Sequence, residues 1–219
     1  MTQDTGQGTG RNTAQGTGQI LDITASKRAL RHCMLQRRRC VDAAQRADAG
    51  RRLAKLAGQY AAALPAHALV AAYVSMGTEI PTLAMIEALL ASRLRVLVPR
   101  LGSGLEIGWS GLNAISDVSE PEADMPRTAS GALRPREPSG ATLGPGALRE
   151  ADLIIVPALA VDSAGTRLGR GGGWYDRALP ERNTNARILA VCWPWEVVRT
   201  ALPKQDHDVP VDDVLQWWD

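Results

Sequence analysis

The sequence predicts an α/β protein, with a mostly parallel sheet covered by helices on both faces in a Rossmann-like three-layer architecture. Short continuous apolar runs at residues 68–75 (ALVAAYVS), 95–99 (RVLVP), 153–157 (LIIVP) and 187–193 (RILAVCW) have the length and β-branched content of strands buried on both faces. Segments of helical period separate them, which favours parallel pairing through crossovers. A chain of 219 residues can bury one substantial core without dividing into two domains.

Residues 1–22, MTQDTGQGTGRNTAQGTGQILD, are dominated by Gly, Thr and Gln and hold the near-repeat GQGTG/AQGTG. They offer too little apolar surface to offset the entropy of ordering, so a disordered tail is expected, followed by a single domain over residues 23–219. Thr24 or Ser26 is placed to cap a first helix, whose apolar positions Leu30, Cys33, Met34, Val41 and Ala44 recur at three-to-four spacing. Leu53, Leu56, Ala57, Tyr60 and Leu64 form a second such stripe. The run 68–75 is the first strand, a helix follows from Pro81 to about Leu94, and strands are expected at 95–99 and 105–109. From Asp117 to Gly146 the chain is rich in Pro, Gly, Ser and Glu without period, as in a surface loop on the ligand side. Strand 153–157, a glycine-rich loop, a helix from about Trp174, strand 187–193 and a terminal VDDVLQ complete the order. Trp217 and Trp218 are expected to cap the core, since two adjacent exposed indoles would make an unusual surface.

The formal charge of +2 comes from 25 basic and 23 acidic residues, so there is no bulk field to draw in nucleic acid. Cys33, Cys40 and Cys192 are odd in number and lack CxxC spacing, which reads as reduced thiols in a cytoplasmic protein. No apolar run approaches transmembrane length, and the N-terminus has no apolar signal-peptide core. The expected protein is a cytoplasmic monomer with small-molecule partners, without nucleic acid or membrane.

The most informative stretch is Arg167-Leu-Gly-Arg-Gly-Gly-Gly-Trp-Tyr-Asp176, just after an apolar strand. Glycines at 169, 171, 172 and 173 permit positive φ and let backbone N–H groups approach a ligand, while Arg167 and Arg170 supply fork-shaped charged donors. Asp176 offers a hard oxygen suited to Mg²⁺. Neither standard phosphate fingerprint fits: GxxxxGK[ST] is absent, and Trp174 stands where a dinucleotide loop would have its third glycine. A glycine-rich turn at a strand exit would share this composition.

The stretch Ala151–Leu179, ADLIIVPALAVDSAGTRLGRGGGWYDRAL, resembles the signature of the 5-formyltetrahydrofolate cyclo-ligase family. That pattern runs apolar strand, Val-Pro-Gly-x-Ala-Phe-Asp, a turn, then Arg-Leu-Gly-x-Gly-x-Gly-Tyr-Tyr-Asp-x-x-Leu. Ala158, Val161 and Trp174 depart from it, where Gly, Phe and Tyr are usual. The resemblance extends over roughly residues 24–215.

It implies an ATP- and Mg²⁺-dependent ligase that cyclises a C–N bond, converting 5-formyltetrahydrofolate to 5,10-methenyltetrahydrofolate with release of ADP and phosphate. The formyl oxygen is a poor leaving group. Attack of that oxygen on the γ-phosphorus gives an imidoyl phosphate, which the N10 amine captures before phosphate departs. For ATP the resemblance implies Lys27, Arg28, Ala29, Leu30 and Arg31, then Arg167, Leu168, Gly169, Arg170, Gly171, Gly172, Gly173, Trp174 and Tyr175. For the folate it implies Arg31, Val74 and Glu79, with Arg170, Gly171, Gly172, Gly173 and Trp174 shared. Arg167, Arg170 and Tyr175 take the catalytic roles, and Asp176 with Asp208, in QDHDVPVDDVL, the metal.

On their own, Lys27 and Arg31 at i, i+4 also suit a solvated helix face; Arg37, Arg38 and Arg39, one or two turns further on, could reinforce the positive field but are expected on a solvated helix face. Glu79 also suits the first turn of the following helix, and its carboxylate can accept two N–H donors of a pterin. Glu137-Pro138 resembles a further substrate-side element of the family. Glu196 stands where many members carry Gln, flanked by Trp193 and Trp195 where Phe is usual, and is expected to bear on how the pterin or its tail is held. Two other readings are a folate- or nucleotide-binding homologue without catalysis, against which the intact glycine loop and both aspartates stand, and a dinucleotide-dependent oxidoreductase, disfavoured by the missing third glycine.

Overall fold

The computed structural model describes residues 11–100, 107–119 and 136–218, with side chains from residue 22 onward. Helix α1 (Arg11–Arg39) begins inside the segment whose composition points to a tail. Extending a formed helix adds one hydrogen bond per residue without a new nucleus, so weak formers can continue one. Helix α2 (Ala43–Ala62) follows after a break that the first apolar stripe did not anticipate, for that stripe ran through Val41 to Ala44. The break is set by a capping box: Asp42 Oδ1 accepts from Gln45 N at 2.7 Å and Gln45 Oε1 accepts from Asp42 N at 3.2 Å.

Strand β1 (Leu69–Ala71), helix α3 (Leu83–Ala91), strand β2 (Arg95–Arg100) and strand β3 (Gly108–Leu112) come next. Strands β4 (Val118–Ser119) and β5 (Glu137–Pro138) pair with each other. The loop expected at 117–146 is therefore partly structured at both ends, and its residues 120–135 lie outside the described ones. Strand β6 (Leu153–Pro157), the hairpin β7 (Ala160–Asp162) and β8 (Arg167–Leu168), helix α4 (Trp174–Ala178) and strands β9 (Arg187–Val191), β10 (Val197–Val198) and β11 (Asp213–Val214) complete the chain.

Six strands form the main sheet in the order β11-β9-β6-β1-β2-β3, parallel except for the antiparallel β2–β3 edge. One face packs on α2 and α3 through Leu53, Ala57, Met85, Ile86 and Leu89, against Val70, Val96, Ile155 and Leu189. The other is covered by α4 and the 3₁₀ segments Pro145–Glu150 and Leu179–Glu181, with Leu148, Ala178 and Leu179 on Ile154, Val156 and Ile188. This is the expected mostly parallel sheet with both faces covered. A second sheet, β10-β7-β8, was not expected, because β8 and β10 are two-residue strands with no readable period. Helix α1 lies on it through Leu30, Met34 and Leu35. Trp217 caps the core as expected: it is buried, and its Nε1 donates to Cys192 O at 3.0 Å. Among the described residues, no helix is long and apolar enough to cross a membrane.

Asp162, last residue of the Ala-x-Asp strand, organises the small sheet. Its carboxylate accepts from Ala164 N at 3.0 Å, Thr166 N at 2.9 Å and Leu202 N at 2.9 Å. Burial opposes its charge, but these N–H groups outweigh burial and lower its pKa. Asp162→Ala is expected to cost about 2–3 kcal/mol at neutral pH, because it strands three inward donors. A depressed folded pKa means this contribution is complete above the unfolded carboxyl value of about 3.9 and vanishes as pH falls through the lower folded one. Urea unfolding from pH 7 to pH 2 checks both size and direction. In the main core, Leu53 is fully buried, and Leu53→Ala should cost about 2–5 kcal/mol by urea unfolding.

Candidate active site

The site lies beyond the carboxyl ends of β1 and β6, where open α/β sheets place their ligands. The strand exit after β8 turns sharply because Gly171 and Gly173 take left-handed φ values of 101° and 62°, which a side chain would strain. Gly169 approaches Arg167 so closely that a Cβ would stand 2.8 Å from the guanidinium, whereas Gly172 meets no such constraint. Among the described residues, the N–H groups of Arg170, Gly171, Gly172 and Gly173 find no acceptor within the protein. The loop carbonyls, by contrast, are engaged: Gly169 O accepts from Arg31 Nε at 2.9 Å and Gly172 O from Arg177 Nη1 at 3.2 Å.

Cations converge on this loop from three elements, each tied to a carboxylate or a carbonyl. From α1, buried Lys27 pairs with Asp208, and Arg31 reaches the loop backbone. From β8, Arg167 Nη2 donates to Asp176 Oδ1 at 2.8 Å, and its guanidinium lies 5.5 Å from the Tyr175 ring centroid. From the loop itself, Arg170 Nη1 lies 3.3 Å from Glu79 Oε1. Burial lowers the Arg31 pKa against the opposing fields of Asp176 and Asp208, so both carboxylates act on this one guanidinium. Burial likewise raises the Tyr175 hydroxyl, with the Glu79 charge adding to it, so this phenol stays protonated.

The candidate metal carboxylates each use one oxygen within the protein. Asp176 Oδ1 is taken by Arg167, and Asp208 Oδ2 by Lys27 and by Gln205 N at 2.8 Å. Asp176 Oδ2 and Asp208 Oδ1 have no hydrogen-bond donor among the described residues, though His207 Nε2 lies 4.0 Å from Asp208 Oδ1. Two carboxylates with a spare oxygen each are a donor set suited to Mg²⁺, which keeps most of its shell for water and phosphate. Among the described residues there is no group of three or more metal-ligating side chains.

On the side of Glu79, the turn 73–82 is pinned by buried Thr82, whose Oγ1 donates to Tyr73 O at 2.7 Å and accepts from Ser75 N at 2.9 Å. Val74 is buried in the core at the strand exit. Glu79 is buried as well; its Oε2 accepts from Met76 N at 2.8 Å, while Oε1 faces Arg170. Trp174 stands edge-on to Trp109 with centroids 5.0 Å apart and to Tyr175 at 4.9 Å. Arg28 and Ala29 are exposed on α1, and Leu30 packs on the small sheet with Leu168.

Two expectations are corrected. Arg38 is not on a solvated face. It is 2% exposed, and its Nε and Nη2 donate to the two Glu196 oxygens at 2.7 and 2.8 Å. Glu196 is 0% exposed and spent on that pair, so it is not free to hold a pterin or its tail. Arg37 too is engaged, 4.9 Å from the Trp195 ring centroid, while Arg39 stays exposed. Sequence reading also missed Trp109 and Thr82 as site-forming residues. Trp109 ends the strand expected at 105–109, whereas β3 runs Gly108–Leu112, and nothing in the sequence pattern says which face its indole takes.

A glycine loop with free N–H groups, ringed by basic side chains at the strand ends of a mostly parallel sheet, marks an α/β protein with a candidate site whose chemistry suits an anion. Residues 23–216 match the model of the 5-formyltetrahydrofolate cyclo-ligase family, and the chain belongs to that family. It is 35% identical over 195 residues to a 5-formyltetrahydrofolate cyclo-ligase of Mycolicibacterium smegmatis, covering 87% of this chain and 93% of that one. It is 28% identical to the Escherichia coli K12 5-formyltetrahydrofolate cyclo-ligase, over 82% of this chain and 94% of the other. Among solved structures, the 5,10-methenyltetrahydrofolate synthetases of Aquifex aeolicus and Mycoplasma pneumoniae superpose with a TM-score of 0.64 each. Their identities are 25% and 18%; both cover 86% of this chain, with 88% and 97% of their own length.

Proposed function

We propose that this protein converts 5-formyltetrahydrofolate and ATP to 5,10-methenyltetrahydrofolate, ADP and phosphate, acting in the cytoplasm with its cysteines as thiols. The observation that carries this reading beyond family membership is the glycine loop: four consecutive N–H groups without internal acceptors lie beside Arg31 and Arg167, with Lys27 one turn before Arg31 on α1. Such donors are spent on something outside the chain, and a triphosphate satisfies them.

In this reading the loop N–H groups, Lys27, Arg31, Arg167 and Arg170 hold the triphosphate, with Leu168 and Tyr175 as the packed floor behind it. Asp176 and Asp208 would hold Mg²⁺, which neutralises phosphate charge when bound. Phosphoryl transfer asks a protein mainly for positioning and charge compensation, and the cations tied to fixed partners supply both. Glu79 accepts pterin N–H donors once Arg170 turns from it toward phosphate. Arg31, facing both carboxylates and the loop, stands between the two substrates. The protonated Tyr175 hydroxyl and the Trp174 indole wall the reacting groups from water, which would hydrolyse a phosphorylated formyl group.

The direct test follows the methenyl chromophore after mixing 5-formyltetrahydrofolate, ATP and Mg²⁺. Its appearance, dependent on all three, is the expected result; binding of folate without turnover would instead mark a homologue that only binds. Glu79→Gln is expected to raise the Michaelis constant for the folate more than that for ATP, measured by varying each substrate in turn. Equal shifts in both would place Glu79 elsewhere. Asp176→Asn is expected to lower turnover by about ten- to a hundredfold, the scale of a lost charge-assisted contact, with partial recovery as Mg²⁺ is raised. Circular dichroism should show the fold retained. Full turnover at limiting Mg²⁺ would remove Asp176 from the metal site.

A further inference from the structure

Helix α1 carries Lys27 and Arg31 to the glycine loop, yet no residue of its described part is among the buried members of the hydrophobic core. Its apolar side chains Leu30, Met34 and Leu35 are only half-buried against the small sheet. Polar contacts therefore do much to set its position. Two of them, Lys27 to Asp208 and Arg31 to Gly169 O, lie in the candidate ligand site itself and face exchange when an anion enters. Away from that site, Arg37 lies over the Trp195 ring, and the buried contact is made by Arg38. Arg38 follows Arg31 by seven residues, two turns on along one face, and is buried behind the site.

Its contacts reach two strand ends at once. Nε and Nη2 grip both Glu196 oxygens, at 2.7 and 2.8 Å, and Nη2 also donates to Ala158 O at 2.6 Å, just past the end of β6. Glu196 Oε2 in turn accepts from Trp193 N at 2.8 Å, just past the end of β9. Burial opposes the Arg38 charge, but the Glu196 hydrogen bonds and field outweigh it and raise the guanidinium pKa; burial pushes the Glu196 carboxyl up against the pull of Arg38. A buried pair of this kind adds little stability over an apolar pair of equal volume, while its fork fixes one geometry.

We propose that Arg38 and Glu196 are positioning residues, whose buried pair sets where α1 presents Lys27 and Arg31 to the glycine loop and thereby sets the affinity for ATP. This rests on the reading of the loop as a triphosphate site. Lys27 lies eleven residues from Arg38, about 16 Å along the helix at 1.5 Å per residue, so a small tilt at the anchor is magnified at the ligand.

The test is the double variant Arg38→Leu/Glu196→Gln, which leaves no unpaired charge and keeps an amide oxygen for Trp193 N. Mg²⁺-ATP and 5-formyltetrahydrofolate affinities are measured by titration calorimetry on parent and variant, with circular dichroism and a thermal melt for the fold. A folded variant is expected to bind ATP at least about tenfold more weakly, with folate, which meets α1 through Arg31 alone, weakened clearly less. Hydrogen exchange of residues 27–38 without ligand should also quicken. A folded variant with parental ATP affinity overturns the proposal, as does equal weakening of both ligands. Should the double variant not fold, Arg38→Lys decides: it keeps the buried charge without the fork, and parental ATP affinity there overturns the proposal while a selective loss supports it. If the parent itself binds no ATP, the triphosphate reading fails first and this inference falls with it.

Discussion

The structure depends on one electrostatic constraint: cations gathered at the strand ends, around the proposed anion site, must be neutralised within the protein while no anion is bound. The protein does this with fixed carboxylates. Lys27 is held by Asp208, Arg167 by Asp176 and Arg170 by Glu79, and these ties join α1, the glycine loop, the turn after β1 and the segment before β11. Each tie is also a piece of the proposed chemistry, since the carboxylates that balance the cations are those a metal or a pterin would use. Ligand binding then becomes an exchange of partners rather than the burial of new charge. This limits the desolvation cost that an isolated buried cation would carry.

The parts of the fold legible in the sequence were those with a local physical cause. Strand β6 spans the run LIIVP, and α4 begins at Trp174, because an apolar β-branched run and a glycine turn each determine structure within a few residues. The mostly parallel order followed from alternation of such runs with helical periods. What could not be read was set by distant partners. The hairpin β7–β8 and the strand β10 are too short to show a period, and what joins them is distant in sequence: Asp162 pairs with Val198 and accepts from Leu202 N, 40 residues away. The break between α1 and α2 was readable in principle from Asp42-x-x-Gln45, but the apolar stripe ran across it.

The site shows the same division. The glycine loop and its two arginines announce themselves in ten residues, and family resemblance supplied Lys27, Arg31, Glu79 and Asp208 at long range. Arg38 was misread because three consecutive arginines look like solvated helix, and nothing local reveals that the middle one meets Glu196, 158 positions later. Glu196 was misread for the complementary reason: a carboxylate in place of an amide invites a ligand explanation, whereas here its partner is a cation within the fold. A charge that departs from a family's usual residue is first to be searched for a compensating charge.

In the proposed function, α1, the glycine loop and the segment around Asp208 form one triphosphate site. Hydrogen exchange followed by mass spectrometry, with and without Mg²⁺-ATP, tests it most directly, because it reports each segment separately and needs no turnover. Slowed exchange is expected in residues 27–31, 167–176 and 205–208 together, with the strands of the main sheet unchanged. Protection confined to the glycine loop, or absent from all three segments at saturating ATP, would contradict it.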